Sequence, residues 1–170
     1  MLRLREYCER VRDDAYGGSI ELVEDGITAM ENELGAAGEE NVSREIEYFV
    51  DQILEVTSPI LPLINLLDRC MRFAERYEDS EVSAEELRER FVTLLEEIRE
   101  GQRQCVKKIG KAGARMIASG DKVATFSTSG SVMEILRCAA DVGKRLKAAA
   151  FEARPNAEGY RTLDEISALG

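Results

Sequence analysis

Two short stretches carry side chains that could do chemistry. The first is Ser127-Thr128-Ser129-Gly130-Ser131, a hydroxyl- and glycine-rich loop that follows a short apolar run and opens directly into an amphipathic segment. Hydroxyls and free backbone N–H groups at the start of a helix make a place for an anion, and the helix dipole adds to it. The same residue types also serve as plain helix caps with no ligand at all. Both readings stand for this loop. It carries neither the Gly-x-x-x-x-Gly-Lys of a triphosphate loop nor the Gly-x-Gly-x-x-Gly of a dinucleotide turn. The second stretch is Glu152-Ala153-Arg154-Pro155, just past another apolar run. A guanidinium binds phosphate or carboxylate through two parallel hydrogen bonds. Arg154 could line the same crevice as the first loop, or pair with Glu152 and fix the turn.

The elements that must position these residues read as strand, loop, helix, strand. Residues 123–126 are apolar, too short for a helix and bounded by turn residues, which predicts a buried strand. Residues 132–142 have helical spacing, Gly143 closes the helix, and residues 146–151 form the next strand. Strand-helix-strand at this spacing is a right-handed parallel unit, and ligands of parallel sheets bind at the carboxyl ends of the strands. A polar loop with Pro155, Asn156, Glu158 and Gly159 then leads to a last short helix around residues 162–169.

Everything before residue 120 reads as helix. Leu4, Tyr7 and Val11 mark a first face, and Ile20, Val23, Ile27, Met30 and Leu34 a second, with Gly17-Gly18-Ser19 between them. Val42, Ile46, Phe49, Ile53 and Val56 give a third. Ser58-Pro59 is a stop-and-restart signal, but Pro62 removes an early backbone donor, which moves the expected start of the fourth helix toward Leu63. Ser83-Ala84-Glu85-Glu86 has the pattern of a capping box and opens a long helix to about residue 118. Arg103, Lys107, Lys111 and Arg115 recur every four residues along it, either a solvated face or one that pairs with the acidic first half or with a partner. Gly110, Ala112, Gly113 and Ala114 are small enough to let another backbone approach. The expected architecture is mainly α: a helical bundle domain over residues 1–119, then over residues 120–170 the first βαβ part of an incomplete Rossmann-like α/β domain.

Composition excludes several classes of function. The chain has 170 residues, no histidine, and four widely spaced cysteines, Cys8, Cys70, Cys105 and Cys138. Zinc sites of the Cys/His kind, histidine acid–base catalysis and Ser-His-Asp triads therefore drop out, and no metal or cofactor is expected. The cysteines read as small apolar packing residues in a reducing cytoplasm. No apolar run is long enough to span a bilayer, and the N-terminus has no apolar signal core, so neither membrane nor secretion is expected. The net charge of −10 argues against direct nucleic-acid binding. It is unevenly spread: residues 1–100 hold 11 Arg against 26 Asp/Glu, and residues 101–170 hold 12 Lys/Arg against 7 Asp/Glu. The basic excess leaves room for an anionic ligand in the second part.

Taken together, Gly120-Asp121-Lys122-Val123, Thr125-Phe126-Ser127-Thr128-Ser129 and Glu152-Ala153-Arg154-Pro155 resemble the superfamily of translation initiation factor 2B alpha, beta and delta subunits. That superfamily also contains ribose-1,5-bisphosphate isomerase and methylthioribose-1-phosphate isomerase. The segment from Leu163 to Gly170 resembles the family's next short helix. The resemblance implies that further strands would follow residue 170, together with a catalytic aspartate. In the isomerases the loop after the first strand carries a catalytic cysteine, and the aligned residue here is Ser127. Their phosphate-holding Arg-Gly-Ala motif falls on Gly17-Gly18-Ser19, with Gly17 in place of the Arg. Their Arg before a proline falls on Ser58 before Pro59. These departures imply the non-catalytic branch: a subunit that binds family subunits or an initiation factor 2-like partner as a homo- or hetero-oligomer, and a phosphorylated nucleotide or sugar. The expected anion contacts are Ser127, Thr128, Ser129, Gly130, Glu152 and Arg154, with Gly17, Gly18 and Ser19. The alternative is an aldose–ketose isomerase of ribose-1,5-bisphosphate type.

Overall fold

The computed structural model describes residues 2–13, 18–34, 41–57, 60–126, 128–154 and 157–169. Its elements are α1 (Leu4–Arg12), α2 (Ser19–Leu34), α3 (Val42–Leu54), α4 (Leu61–Tyr77), α5 (Ala84–Met116), β1 (Lys122–Phe126), α6 (Gly130–Asp141), β2 (Lys147–Phe151) and α7 (Glu158–Ser167). The protein is mainly α, a helical bundle followed by a βαβ unit with parallel strands. Backbone contacts divide it into two units, Met1–Glu100 and Gly101–Gly170, and the division falls inside α5.

The first unit is held by one apolar core. Each helix has polar residues on one side and contributes the other: Tyr7 from α1, Ile27 and Met30 from α2, Ile46 and Ile53 from α3, Leu63 and Leu67 from α4, Phe91 and Leu95 from α5. Tyr7 is fully buried, and its hydroxyl donates to the Leu22 carbonyl at 3.0 Å, so burial leaves no orphaned polar atom there. Phe73 packs against Phe91 with ring centroids 5.2 Å apart. Arg99, 8% exposed, sits among three carboxylates: Glu31 takes both terminal nitrogens at 2.9 and 2.7 Å, Glu96 lies at 2.6 Å and Glu24 at 3.3 Å.

Two sequence expectations in this unit change. The α4 helix starts at Leu61, earlier than the Leu63 start expected, with Pro62 in its first turn, where a missing N–H costs nothing because no intrahelical acceptor exists. The capping box is one-sided: the Ser83 hydroxyl accepts from the Glu86 N–H at 3.3 Å, while the Glu86 carboxylate pairs forward with Arg90. Ser58-Pro59 lies outside the described residues. The uniform reading of the cysteines also fails. Cys8 and Cys70 are buried, and burial pushes the Cys70 thiol up to about 12, but Cys138 is half-buried and Cys105 is exposed.

In the second unit β1 and β2 pair in parallel from Lys122 with Lys147 to Phe126 with Phe151. The small residues of α5 are used for close approach. A Cβ at Gly113 would lie 2.6 Å from Ile135, and one at Gly110 would collide with Glu134, so α6 seats directly on the α5 backbone. α7 packs on β2 and α6 on α7. The expectation of a buried first strand is not met: Thr125 alone is buried in β1, and Phe126 is 72% exposed. Side chains of a strand alternate between faces. Lys122, Ala124 and Phe126 share their face with Lys147, Ala149 and Phe151, and that whole face is exposed. Among the described residues no helix is long and apolar enough to cross a membrane.

Candidate functional site at the strand ends

Because Phe126 and Phe151 are paired, the segments after β1 and after β2 leave the sheet at the same, carboxyl, end. This brings Thr128, Ser129 and Gly130 to one end of the unit with Glu152 and Arg154. Ser127 lies outside the described residues, as do Gly17 and Pro155. Gly18 and Ser19 belong to the first unit, at the start of α2, where the Gly18 carbonyl accepts from the Leu22 N–H at 3.2 Å.

The loop makes the cap that its composition allows. Ser129 is the residue before α6, with extended backbone, and its hydroxyl accepts from the Val132 N–H at 3.5 Å. Gly130 opens the helix. Thr128 is tied to a different element. Its backbone N–H donates to Oε2 of Glu158 at 3.2 Å, and its hydroxyl lies 2.9 Å from that of Thr162. Thr162 is 1% exposed and its hydroxyl also donates to the Glu158 carbonyl at 3.1 Å. An internal carboxylate thus takes one of the N–H groups that an incoming anion would use.

At the second strand end the ion-pair reading is the one realised. Arg154 Nε donates to Glu152 Oε2 at 2.9 Å and its Nη2 to Oε1 at 3.3 Å. Both side chains are solvated, Arg154 at 80% exposure, so the pair contributes at most about 1 kcal/mol and the guanidinium can exchange partners at little cost. Between them Ala153 has φ of +54°, and Ala157, before α7, has φ of +55°. A left-handed backbone at alanine costs about 1 kcal/mol at each position, and such strain concentrates where chains bind ligands. The turn is held by the Ala157 N–H to the Ala153 carbonyl at 3.0 Å and the Gly159 N–H to the Glu152 carbonyl at 3.1 Å. Gly159 is needed there, since any Cβ would collide with the Phe151 carbonyl.

Sequence reasoning missed Glu158, Gly159 and Thr162 as members of the site. It assigned Glu158 and Gly159 to a loop and started the last helix around residue 162, whereas α7 begins at Glu158. The spacing of four between Glu158 and Thr162 is the one available signal that both share a helix face. Among the described residues no group of three or more His, Cys, Asp or Glu could hold a metal ion. No described thiol belongs to the strand-end loops: Cys138 lies on α6 with its thiol against Glu134 at 3.7 Å, and burial and that carboxylate push its pKa up.

Comparison with known proteins places the chain in a family. The chain is 23% identical to the ribose 1,5-bisphosphate isomerase of Archaeoglobus fulgidus over its full length, covering 52% of that protein. It is 28% identical to the translation initiation factor eIF-2B subunit 2-like protein of Pyrococcus abyssi, over 99% of this chain and 56% of that one. The chain therefore spans about half the length of the curated relatives it matches. Its fold superimposes on a subunit of the tetrameric eIF2B-beta2-delta2 complex from C. thermophilum with a TM-score of 0.83 at 14% identity, covering 100% of this chain and 57% of that one. The model of the initiation factor 2 subunit family matches residues 17–170, and the chain belongs to that family.

Proposed function

We propose that the chain is a binding subunit of the initiation factor 2B type, without catalysis of its own. It associates with family subunits and receives a phosphorylated nucleotide or sugar at the strand ends. One observation carries the reading: the loop offers hydroxyls and backbone N–H groups, with a solvated guanidinium at the neighbouring strand end, while the carboxylate that reaches it, Glu158, is engaged as a hydrogen-bond acceptor. Such a constellation can hold an anion, and it lacks a described group poised to take a proton from a sugar carbon. The basic excess of residues 101–170 favours the same ligand class, and four free cysteines suit the cytoplasm. The relatives that carry the subunit name support the protein-binding part.

A second reading, a ribose-1,5-bisphosphate isomerase-like enzyme, is favoured by the match over the whole chain to proteins of that name. Calorimetry with nucleoside monophosphates and sugar phosphates, beside an isomerase assay with ribose-1,5-bisphosphate, separates the two. Heat without turnover is expected. Turnover overturns the non-catalytic reading, and the absence of heat with every ligand removes the phosphorylated ligand.

A further inference from the structure

The α5 helix changes character at Gly101. Up to that point Leu87, Phe91, Leu94 and Ile98 follow one another at intervals of four, three and four, and they line the core of the first unit. The same stripe continues by spacing as Cys105, Ile109, Ala112 and Met116, and these four are exposed, Ile109 at 45% and Met116 at 87%. Intervals of four, three and four are those of a helix that seats another helix in its seam. The helix face on one side of this seam, Gly110, Gly113 and Ala114, is already turned to α6 or buried. Lys108 and Arg115 border the other side, with Lys107 and Lys111 beyond them, all exposed. Residues 101–120 contain no acidic residue.

We infer that this seam, Cys105-Ile109-Ala112-Met116 with its cationic border, is a docking surface for an amphipathic helix bearing carboxylates along one edge. Charge decides the occupant. An acidic edge meets Lys108 and Arg115 with opposite sign, whereas the α5 helix of a second copy, laid antiparallel on the seam, would bring cations against cations. The one-sided border also sets orientation, because an acidic edge fits on one flank and a small-residue edge on the other. The inference rests on the partner-binding part of the reading above and gives it a surface; the strand-end loop plays no part in it.

The test uses the whole chain and two synthetic helical peptides with the same leucine seam, one edged with glutamate and one with lysine. The glutamate peptide should bind at least about tenfold more tightly. Its affinity should fall as salt rises from about 0.05 to 0.5 M. Ile109→Ser and Lys108→Glu should each weaken it about tenfold or more with unchanged circular dichroism, since both side chains are exposed. Alkylation of Cys105 should slow in the complex while that of Cys138 does not. Equal affinity for the two peptides, indifference to Ile109→Ser, or a Cys105 already unreactive in the unbound chain overturns the inference. Self-association abolished by Ile109→Ser, without peptide binding, assigns the seam to a second copy and overturns it too. A family subunit that binds the Ile109→Ser chain undiminished removes the seam and leaves the subunit reading intact. Binding of the glutamate peptide, with Ile109→Ser and Lys108→Glu acting as stated, supports the seam even where no family subunit binds, and then it is the subunit reading that fails.

Discussion

Residues 1–100 and residues 101–170 use apolar side chains in opposite ways. In the first unit most of the large ones point inward and meet: Tyr7, Ile27, Met30, Ile46, Leu63 and Phe91 have essentially no exposed surface, and Tyr48, Leu54, Leu61 and Val92 are the exceptions among the described residues. In the second, the buried apolar side chains among the described residues are Ala114, Leu136 and Ala139, while Phe126, Phe151, Met116 and Val142 are all more than half exposed. The first unit derives its stability from burial. The second holds its shape by a strand ladder, the Ser129 cap of α6, the seating of α6 on α5 and the hydrogen bonds from Thr128 to α7, and it presents apolar surface to be covered. A parallel sheet normally has both faces covered. The contrast teaches that the fold of the second unit rests on backbone pairing, polar contacts and close helix approach, and its binding capacity on the surfaces left open.

This contrast can be broken by mutation. Phe91→Ala should cost about 3–5 kcal/mol in urea denaturation, the range for deleting a buried aromatic ring. Phe151→Ala, at a 58% exposed position, should stay within about 0.5 kcal/mol. Equal losses would abolish the distinction between the units. Arg99→Ala should cost about 2–3 kcal/mol, because Glu24, Glu31 and Glu96 are left to repel one another. The loss should appear as lower hydrogen-exchange protection within residues 1–100; loss confined to α6 and α7 would contradict it. Gly159→Ala should cost about 1–2 kcal/mol by pushing α7 off the end of β2. Its signature is faster exchange in α7, with α1 to α4 unchanged. Glu158→Gln should have the smallest effect, raising affinity for inorganic phosphate about three- to tenfold by removing a negative charge beside the Thr128 N–H. Unchanged or weaker phosphate binding in that variant would mean that the loop receives no anion.

The helices were legible because each buries one stripe, and a stripe repeats every three or four residues in sequence. Ser129 as a cap and Gly110 and Gly113 as close-approach points were legible for a similar reason, since their roles lie in their own backbone. The bond between Thr128 and Glu158 was not, because it joins residues 30 apart and a tertiary hydrogen bond leaves no periodic trace. The burial of β1 was misjudged for a related reason. An apolar run such as Val123 to Phe126 states that its faces can be buried, and only the neighbours in space decide whether they are. The seam on α5 lay inside a correctly expected helix, yet its exposure could not be read from spacing, since the same pattern lines a core eighteen residues earlier.

The arrangement of α5 has a consequence for proteolysis. The core of the first unit closes with Ile98, and its eleven cations are all arginine; the first lysine of the chain is Lys107. A protease specific for lysine therefore finds no target in the first hundred residues, folded or unfolded. Its earliest targets, Lys107, Lys108 and Lys111, lie on the helix that carries the seam, and cleavage there requires the helix to unwind locally. The rate at which such an enzyme releases residues 1–107 as one fragment thus reports how often that stretch of helix opens, and a helix docked in the seam should slow it.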